Sequence, residues 1–197
     1  ITQNETSNAT QVTNDTIAAI GNKYPDKMLA IDTTSSMAGI FLDFSLADIW
    51  YASVQKCFGL PAGLGILIVS PKAIERAKAK GEKGRYNSLN FMLENAANYQ
   101  THYTPNVLNI YLLNRVLADL PNIAKVNAKT EERMRILEEI VEQSPALDFL
   151  VSNEATRSRT VLGVGGEEKF IKQIKAEAEE QGMRIRSSVF AFTLAIL

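Results

Sequence analysis

Two β-forming stretches stand too close together to be joined by a helix, and this spacing constrains the fold more than any other feature of the chain. The run Asp48-Ile49-Trp50-Tyr51-Ala52-Ser53 leads into Val54-Gln55-Lys56, and the run Gly65-Ile66-Leu67-Ile68-Val69 closes at Ser70-Pro71. Only Cys57-Phe58-Gly59-Leu60-Pro61-Ala62-Gly63-Leu64 lies between them. A parallel pair needs a crossover of about a dozen residues or more, so as neighbours these strands are antiparallel. The second run is almost purely apolar and reads as a core strand. Upstream, Lys27-Met28-Leu29-Ala30-Ile31 ends at Asp32 and meets the polar cluster Thr33-Thr34-Ser35-Ser36, the pattern of a buried strand with a carboxylate at its carboxyl end. The segment 37–47 is short, so this strand can pair with 48–53 across a loop that holds no full helix.

Beyond Pro71 the pattern turns helical. Residues 72–80 combine Ala with charged side chains, and 106–120 set Val107, Ile110, Leu113, Leu117 and Leu120 near helical spacing before Pro121 stops the helix. A long amphipathic helix over 122–143 has Ile123, Val126, Met134, Leu137 and Val141 on its buried side. Strand-like 147–151 and 160–164 and a charged helix over 167–181 follow. The order predicts an α/β sheet segment with helices over 1–120 and a small α+β domain over 121–197.

The charge balance of 21 basic and 22 acidic residues, without a single-sign block, argues against a nucleic-acid partner. Cys57 is the only cysteine, which rules out an internal disulfide and a cysteine-based zinc site and fits a reducing, cytoplasmic setting. No apolar stretch has the length of a membrane span. The Asn-x-Thr triplets at Asn4, Asn8 and Asn14 fall in a segment rich in both residues and carry no weight as glycosylation sites.

Asp32 and Lys56 are the candidates for chemistry. Both follow the carboxyl ends of expected neighbouring strands, where open α/β sheets form their ligand crevice. Taken singly, Asp32 is a turn former and Lys56 a solvated lysine. Their surroundings say more. Ser53-Val54-Gln55-Lys56, then Gly59-Leu60-Pro61-Ala62-Gly63-Leu64-Gly65 and an apolar strand, closely resembles the cofactor-lysine segment of the class V aminotransferases, in particular those of the phosphoserine aminotransferase type. Asn4-Glu5-Thr6, Asp32-Thr33-Thr34-Ser35-Ser36 and Tyr103-Thr104-Pro105-Asn106 are similar to three further motifs of that family in the same order. The resemblance runs over about 2–181.

The resemblance implies pyridoxal 5′-phosphate (PLP) as cofactor, bound to Lys56, which also moves the proton of the substrate α-carbon. It implies Asp32 as partner of the pyridine nitrogen, Gln55 and Thr104 at the phosphate, and Thr6 near the ring oxygen or phosphate. Thr104 would serve the neighbouring subunit, giving a homodimer with a shared site. The implied reaction is transamination between phosphoserine and 2-oxoglutarate in serine biosynthesis, and no metal is called for. Alanine- and serine-glyoxylate aminotransferases look similar but usually carry Pro-Pro-Gly near the lysine. Cysteine desulfurases, in which Cys57 would be pictured as a persulfide carrier, usually have His where this chain has Gln55.

Several positions depart from the family or stand outside its motifs. Tyr103 replaces the first Asn of the Asn-Thr-Pro-Pro segment. Family members are nearly twice this length, with a phosphate loop and a ring-stacking aromatic expected ahead of Asn4, so a noncatalytic protein that keeps the fold is the alternative of different class. The arginine for the substrate carboxylate is not assigned to Arg184 or Arg186. The apolar stretch 189–197 suits completing a sheet or pairing with a second chain. His102, the sole histidine, reads as an exposed or interface residue, Gly163-Val164-Gly165-Gly166 as a strand-to-helix turn, and Arg157 and Arg159 as solvated loop residues.

Overall fold

The computed structural model describes residues 1–180 and the strand backbones of 186–188 and 191–195. Strands β1 (Asn4–Glu5) and β2 (Thr10–Gln11) form a short hairpin, followed by helix α1 (Asn14–Lys23). Strands β3 (Ala30–Asp32), β4 (Ile49–Ser53) and β5 (Gly65–Val69) form a sheet in that order. Helices α2 (Pro71–Lys80), α3 (Leu89–Ala96), α4 (Val107–Asp119) and α5 (Ile123–Glu142) come next. Strands β6 (Leu147–Phe149) and β7 (Val161–Gly166), helix α6 (Glu168–Glu180), and strands β8 (Arg186–Ser188) and β9 (Ala191–Ala195) complete the order. The fold is α/β, as expected.

β4 and β5 pair antiparallel, with Ser53 opposite Gly65 and Ile49 opposite Val69. β3 runs parallel to β4, and their connection holds only a 3-10 turn (Phe44–Leu46). The expectation that β5 lies in the core is overturned: Leu67 is 45% and Ile68 37% exposed. β5 has β4 as its one neighbour in this sheet, and an apolar sequence cannot bury itself without a second element to cover it. On the other side of β3, Asp32 N donates to Ile1 O (2.8 Å) and Gln3 N to Asp32 O (2.8 Å), so the first residues run alongside it. The core beneath the sheet centres on Trp50, 1% exposed, together with Ile17, Ile31, Met37, Val54, Phe58 and Leu60. The indole keeps its polar group satisfied by donating to Phe44 O at 3.1 Å.

The helices end where local chemistry stops them. Ser70 caps α2 by accepting from Ala73 N, Pro71 occupies its first turn, and Gly81 closes it in a left-handed conformation. Asn106 caps α4, whose last helical residue lies just before Leu120-Pro121. α1 and α3 have no counterpart in the pattern of the sequence. α1 is built largely from Asn, Asp, Thr, Ala and Gly, and α3 is only eight residues long, so neither offers a sustained apolar stripe to read.

The second sheet has the order β6-β7-β9-β8, antiparallel throughout, and packs with α5 and α6 through Met134, Val141, Leu162, Val164 and Ile171. The backbone of 191–195 completes this sheet beside β7. Arg184, and the side chains of Arg186 and of 189–197, lie outside the described residues.

Two further expectations are corrected. The glycines 163, 165 and 166 lie within β7 and do not form a turn. A Cβ on Gly163 would come within 2.8 Å of Ala9 Cβ and 3.1 Å of Leu150 Cβ, so close approach of neighbouring chain dictates glycine there. Arg157 is 6% exposed rather than solvated. Its guanidinium pairs with Glu138 at 2.7 Å, donates to Val151 O at 3.0 Å and lies 3.7 Å from the centroid of Phe149. Arg159 is more open and pairs with Glu154 at 3.3 Å.

Candidate active site

Asp32 closes β3 opposite Tyr51 of β4. The chain then turns sharply: Thr33 N and Thr33 Oγ1 both donate to Tyr51 O, at 2.8 and 2.9 Å, and Ser36 N and Met37 N donate back to Thr33 O. Asp32 Oδ1 accepts from Thr34 N at 2.9 Å, so the turn-forming role of this residue is real. Oδ2 takes no hydrogen bond among the described residues and remains available to a partner.

β4 ends at Ser53, and Lys56 sits on the turn that follows. Val54 and Phe58 are buried anchors on either side of it. Val54 N donates to Leu64 O (3.2 Å), Leu60 N to Val54 O (3.2 Å) and Gly59 N to Lys56 O (2.9 Å), tying the loop to both strands. The Lys56 side chain is half-buried and has no hydrogen bond or ion pair among the described residues. Gln55 is exposed and accepts a short hydrogen bond from Ser53 Oγ. The two loops also touch directly, Ser53 N donating to Thr34 Oγ1 at 3.4 Å.

Thr6 is half-buried in the turn after β1. Its neighbour Glu5 accepts from Ser7 N at 2.9 Å, and these Ser7 contacts hold the Glu5 carboxyl below its ordinary range, with a smaller contribution from the Lys56 ammonium. The Asn4-Glu5-Thr6 hairpin therefore shares the electrostatic surroundings of Lys56.

α4 supports the lysine loop from the other side. Asn109, 2% exposed, donates from Nδ2 to Pro61 O (3.0 Å) and Ala62 O (3.3 Å). Gly63 adopts φ +116°, and a Cβ there would stand 3.2 Å from Asn106 Nδ2, so both conformation and space require glycine. Thr104 is exposed on the loop leading into α4 and makes no hydrogen bond to Lys56 or Asp32 among the described residues. Four of the five candidate residues thus fall on the hairpin and the two strand-end loops, and Thr104 stands apart on its own chain.

Cys57 packs against the 36–39 turn, where a Cβ on Gly39 would lie 2.8 Å from its Sγ. Burial pushes its thiol up to about 11, so it is protonated at neutral pH and a poor nucleophile. His102, expected as an exposed or interface residue, is half-buried against Tyr86, Phe91 and Tyr103, and its Nε2 has no hydrogen-bond partner. Tyr103 stacks on Tyr86 with ring centroids 4.4 Å apart. The described residues contain no group of three or more His, Cys, Asp or Glu placed to hold a metal, and no helix among them is long and apolar enough to cross a membrane. A cavity of about 700 Å³ lies at the opposite, amino ends of β3 and β4, lined by Tyr24, Lys27, Leu29, Asp48, Ser70 and Lys72 among others, away from Asp32 and Lys56.

Sequence reasoning missed Asn109 and a buried polar cluster formed by Asn4, Ser35, Ser158 and Thr160. Both depend on partners far away in the chain. The one available signal is Asn109, a polar residue within the apolar first two turns of α4.

The model of the family described as "Aminotransferase class-V" matches residues 1–188. The chain is 31% identical over 150 residues to a phosphoserine aminotransferase of Rhodococcus opacus, a match covering 73% of this chain and 40% of that protein. The crystal structure of a phosphoserine aminotransferase from Cytophaga hutchinsonii matches with a TM-score of 0.88 and 31% identity, covering 100% of this chain and 57% of that one. An alanine–glyoxylate aminotransferase from Nostoc matches with a TM-score of 0.84 at 17% identity, over 100% of this chain and 55% of that one, and shares the fold. The chain thus spans about half the length of the relatives it matches. It belongs to the class V aminotransferase family.

Proposed function

We propose that this chain forms part of a PLP-dependent aminotransferase that exchanges an amino group between phosphoserine and 2-oxoglutarate, as a cytoplasmic homodimer. The observation that carries this reading is the placement of Asp32 at the carboxyl end of β3 and of Lys56 just past the carboxyl end of β4, the parallel neighbours being linked there by Ser53 N donating to Thr34 Oγ1. The residues fit the cofactor. One Asp32 oxygen is free to face a protonated ring nitrogen, and the Lys56 amine is held in a half-buried turn without a competing partner.

Bound PLP supplies an electron sink for the pair released at the substrate α-carbon. Asp32 favours the protonated ring nitrogen through its charge. Lys56 Nζ would take the proton from the substrate α-carbon as general base and could return it as acid. Gln55, and Thr104 of a second copy, would hold the phosphate of PLP, and Thr6 would orient its ring. Residues 1–120 form the cofactor-binding part and 121–197 a smaller C-terminal domain. The exposed position of Thr104 supports its service to another subunit.

The donor is tested by adding phosphoserine, alanine or serine, each with its acceptor, to the PLP-loaded full-length protein and following keto-acid formation. Phosphoserine with 2-oxoglutarate is expected to turn over at least about tenfold better than the alternatives, a discrimination of about 1.4 kcal/mol. Preference for alanine or serine with glyoxylate would replace the substrate assignment. Absence of turnover with bound PLP would favour a noncatalytic protein that keeps the fold.

A further inference from the structure

Asn4 is 3% exposed, yet it satisfies its whole side chain through residues remote in sequence. Asn4 Nδ2 donates to Thr160 Oγ1 at 2.8 Å and to Ser35 O at 3.4 Å, while Asn4 Oδ1 accepts from Ser158 Oγ at 2.7 Å. Thr160 Oγ1 in turn donates to Ser35 O at 3.0 Å. Ser158 Oγ accepts from Thr160 N and Val161 N, both at 3.2 Å, so each hydroxyl both donates and accepts. Ser158 is 0% and Thr160 1% exposed, and Ser158 N is fixed to Ala9 O at 2.9 Å.

The cluster touches both stretches that carry cofactor candidates. Asn4 begins the strand leading to Thr6, and Ser35 lies in the turn that starts at Asp32. Ser158 and Thr160 come from the segment that enters β7. A buried polar network satisfied at every atom is rigid, and breaking one member strands the others without water to replace it.

We propose that Asn4 and Thr160 are positioning residues, which clamp the Ser35 carbonyl and thereby set the Asp32 carboxylate relative to Thr6 while coupling both to the chain entering β7. The proposal deepens the functional reading and rests on it for the cofactor, but the clamp itself can be observed without any cofactor.

The test compares Thr160→Val with Thr160→Ser in the full chain, by amide hydrogen exchange without PLP and by PLP affinity. Thr160→Val keeps the shape and loses the hydroxyl. Exchange over 33–37 is expected to quicken about tenfold or more with α4 unchanged, and the PLP Kd to rise about tenfold or more, the effect of losing the two buried hydrogen bonds of the Thr160 hydroxyl. Thr160→Ser is expected to restore both. Unchanged protection over 33–37, an equal increase throughout the chain, or no rescue by Ser would overturn the proposal. If Thr160→Val does not fold, Asn4→Asp replaces the donor with an acceptor at nearly equal size and is judged by the same exchange contrast. Failure of the wild-type chain to bind PLP sinks the cofactor reading alone and leaves the exchange result to decide the clamp.

Discussion

Asp32 lies directly opposite Tyr51 in the parallel register of β3 and β4, and Tyr51 O accepts both the amide and the hydroxyl of Thr33. The carboxylate is thereby tied to the strand that runs on into Lys56. Asp32→Asn keeps an acceptor for Thr34 N but removes the charge. We expect substrate α-proton exchange in deuterium oxide to fall by about 100-fold or more, with the thermal midpoint shifted by only a few degrees. Proton exchange at the wild-type rate would remove Asp32 from the chemistry.

Cys57 gives a pH dependence of known sign. Burial pushes the thiol up from its ordinary 9.0 to about 11, so the folded chain holds this proton more tightly than the unfolded one. The resulting stability is fully present below pH 9 and is lost as pH rises through about 11. Urea unfolding at pH 8 and pH 10.5 should show a decline that is smaller in Cys57→Ala. Alkylation of the wild-type thiol at pH 8 should also be slow compared with free cysteine.

Arg157 and Glu138 form a nearly buried pair, with side chains 8% and 14% exposed. Arg157→Ala leaves Glu138 with only the weaker pairing to Arg159 at 4.0 Å and should cost about 2–3 kcal/mol in urea unfolding. Arg157→Lys keeps the charge but loses the fork and much of the stacking on Phe149, so it should recover only part of that stability.

Asn109→Ala removes two hydrogen bonds to the lysine loop. A loss of about 1–2 kcal/mol is expected, with hydrogen exchange at 59–64 quickened more than in β4. Uniform quickening would mean that Asn109 supports α4 rather than the loop.

Much of this site is legible in the sequence because its parts are local. The short apolar run before Asp32, the run before Lys56 and the Gly-Pro connection to β5 each declare a strand end within a few residues. The antiparallel pairing of β4 and β5 follows from loop length alone. What stays hidden depends on distant chain. Asn4 looks like part of a polar surface stretch until Thr160, 156 positions later, meets it. Arg157 looks like a loop residue until α5 supplies Glu138 and β6 supplies Phe149. β5 errs the other way, since an apolar strand shows what it needs to bury but not whether a partner covers it.

Covalent capture of PLP tests the central claim most directly. The chain is incubated with PLP, reduced with borohydride, digested and mapped by mass spectrometry, with Lys56→Ala alongside. A reduced pyridoxyl adduct on Lys56 at near-stoichiometric yield is expected, with a matching absorption band in the wild type and loss of both in Lys56→Ala. An adduct spread over several lysines, or one undiminished in Lys56→Ala, would contradict the cofactor role of Lys56.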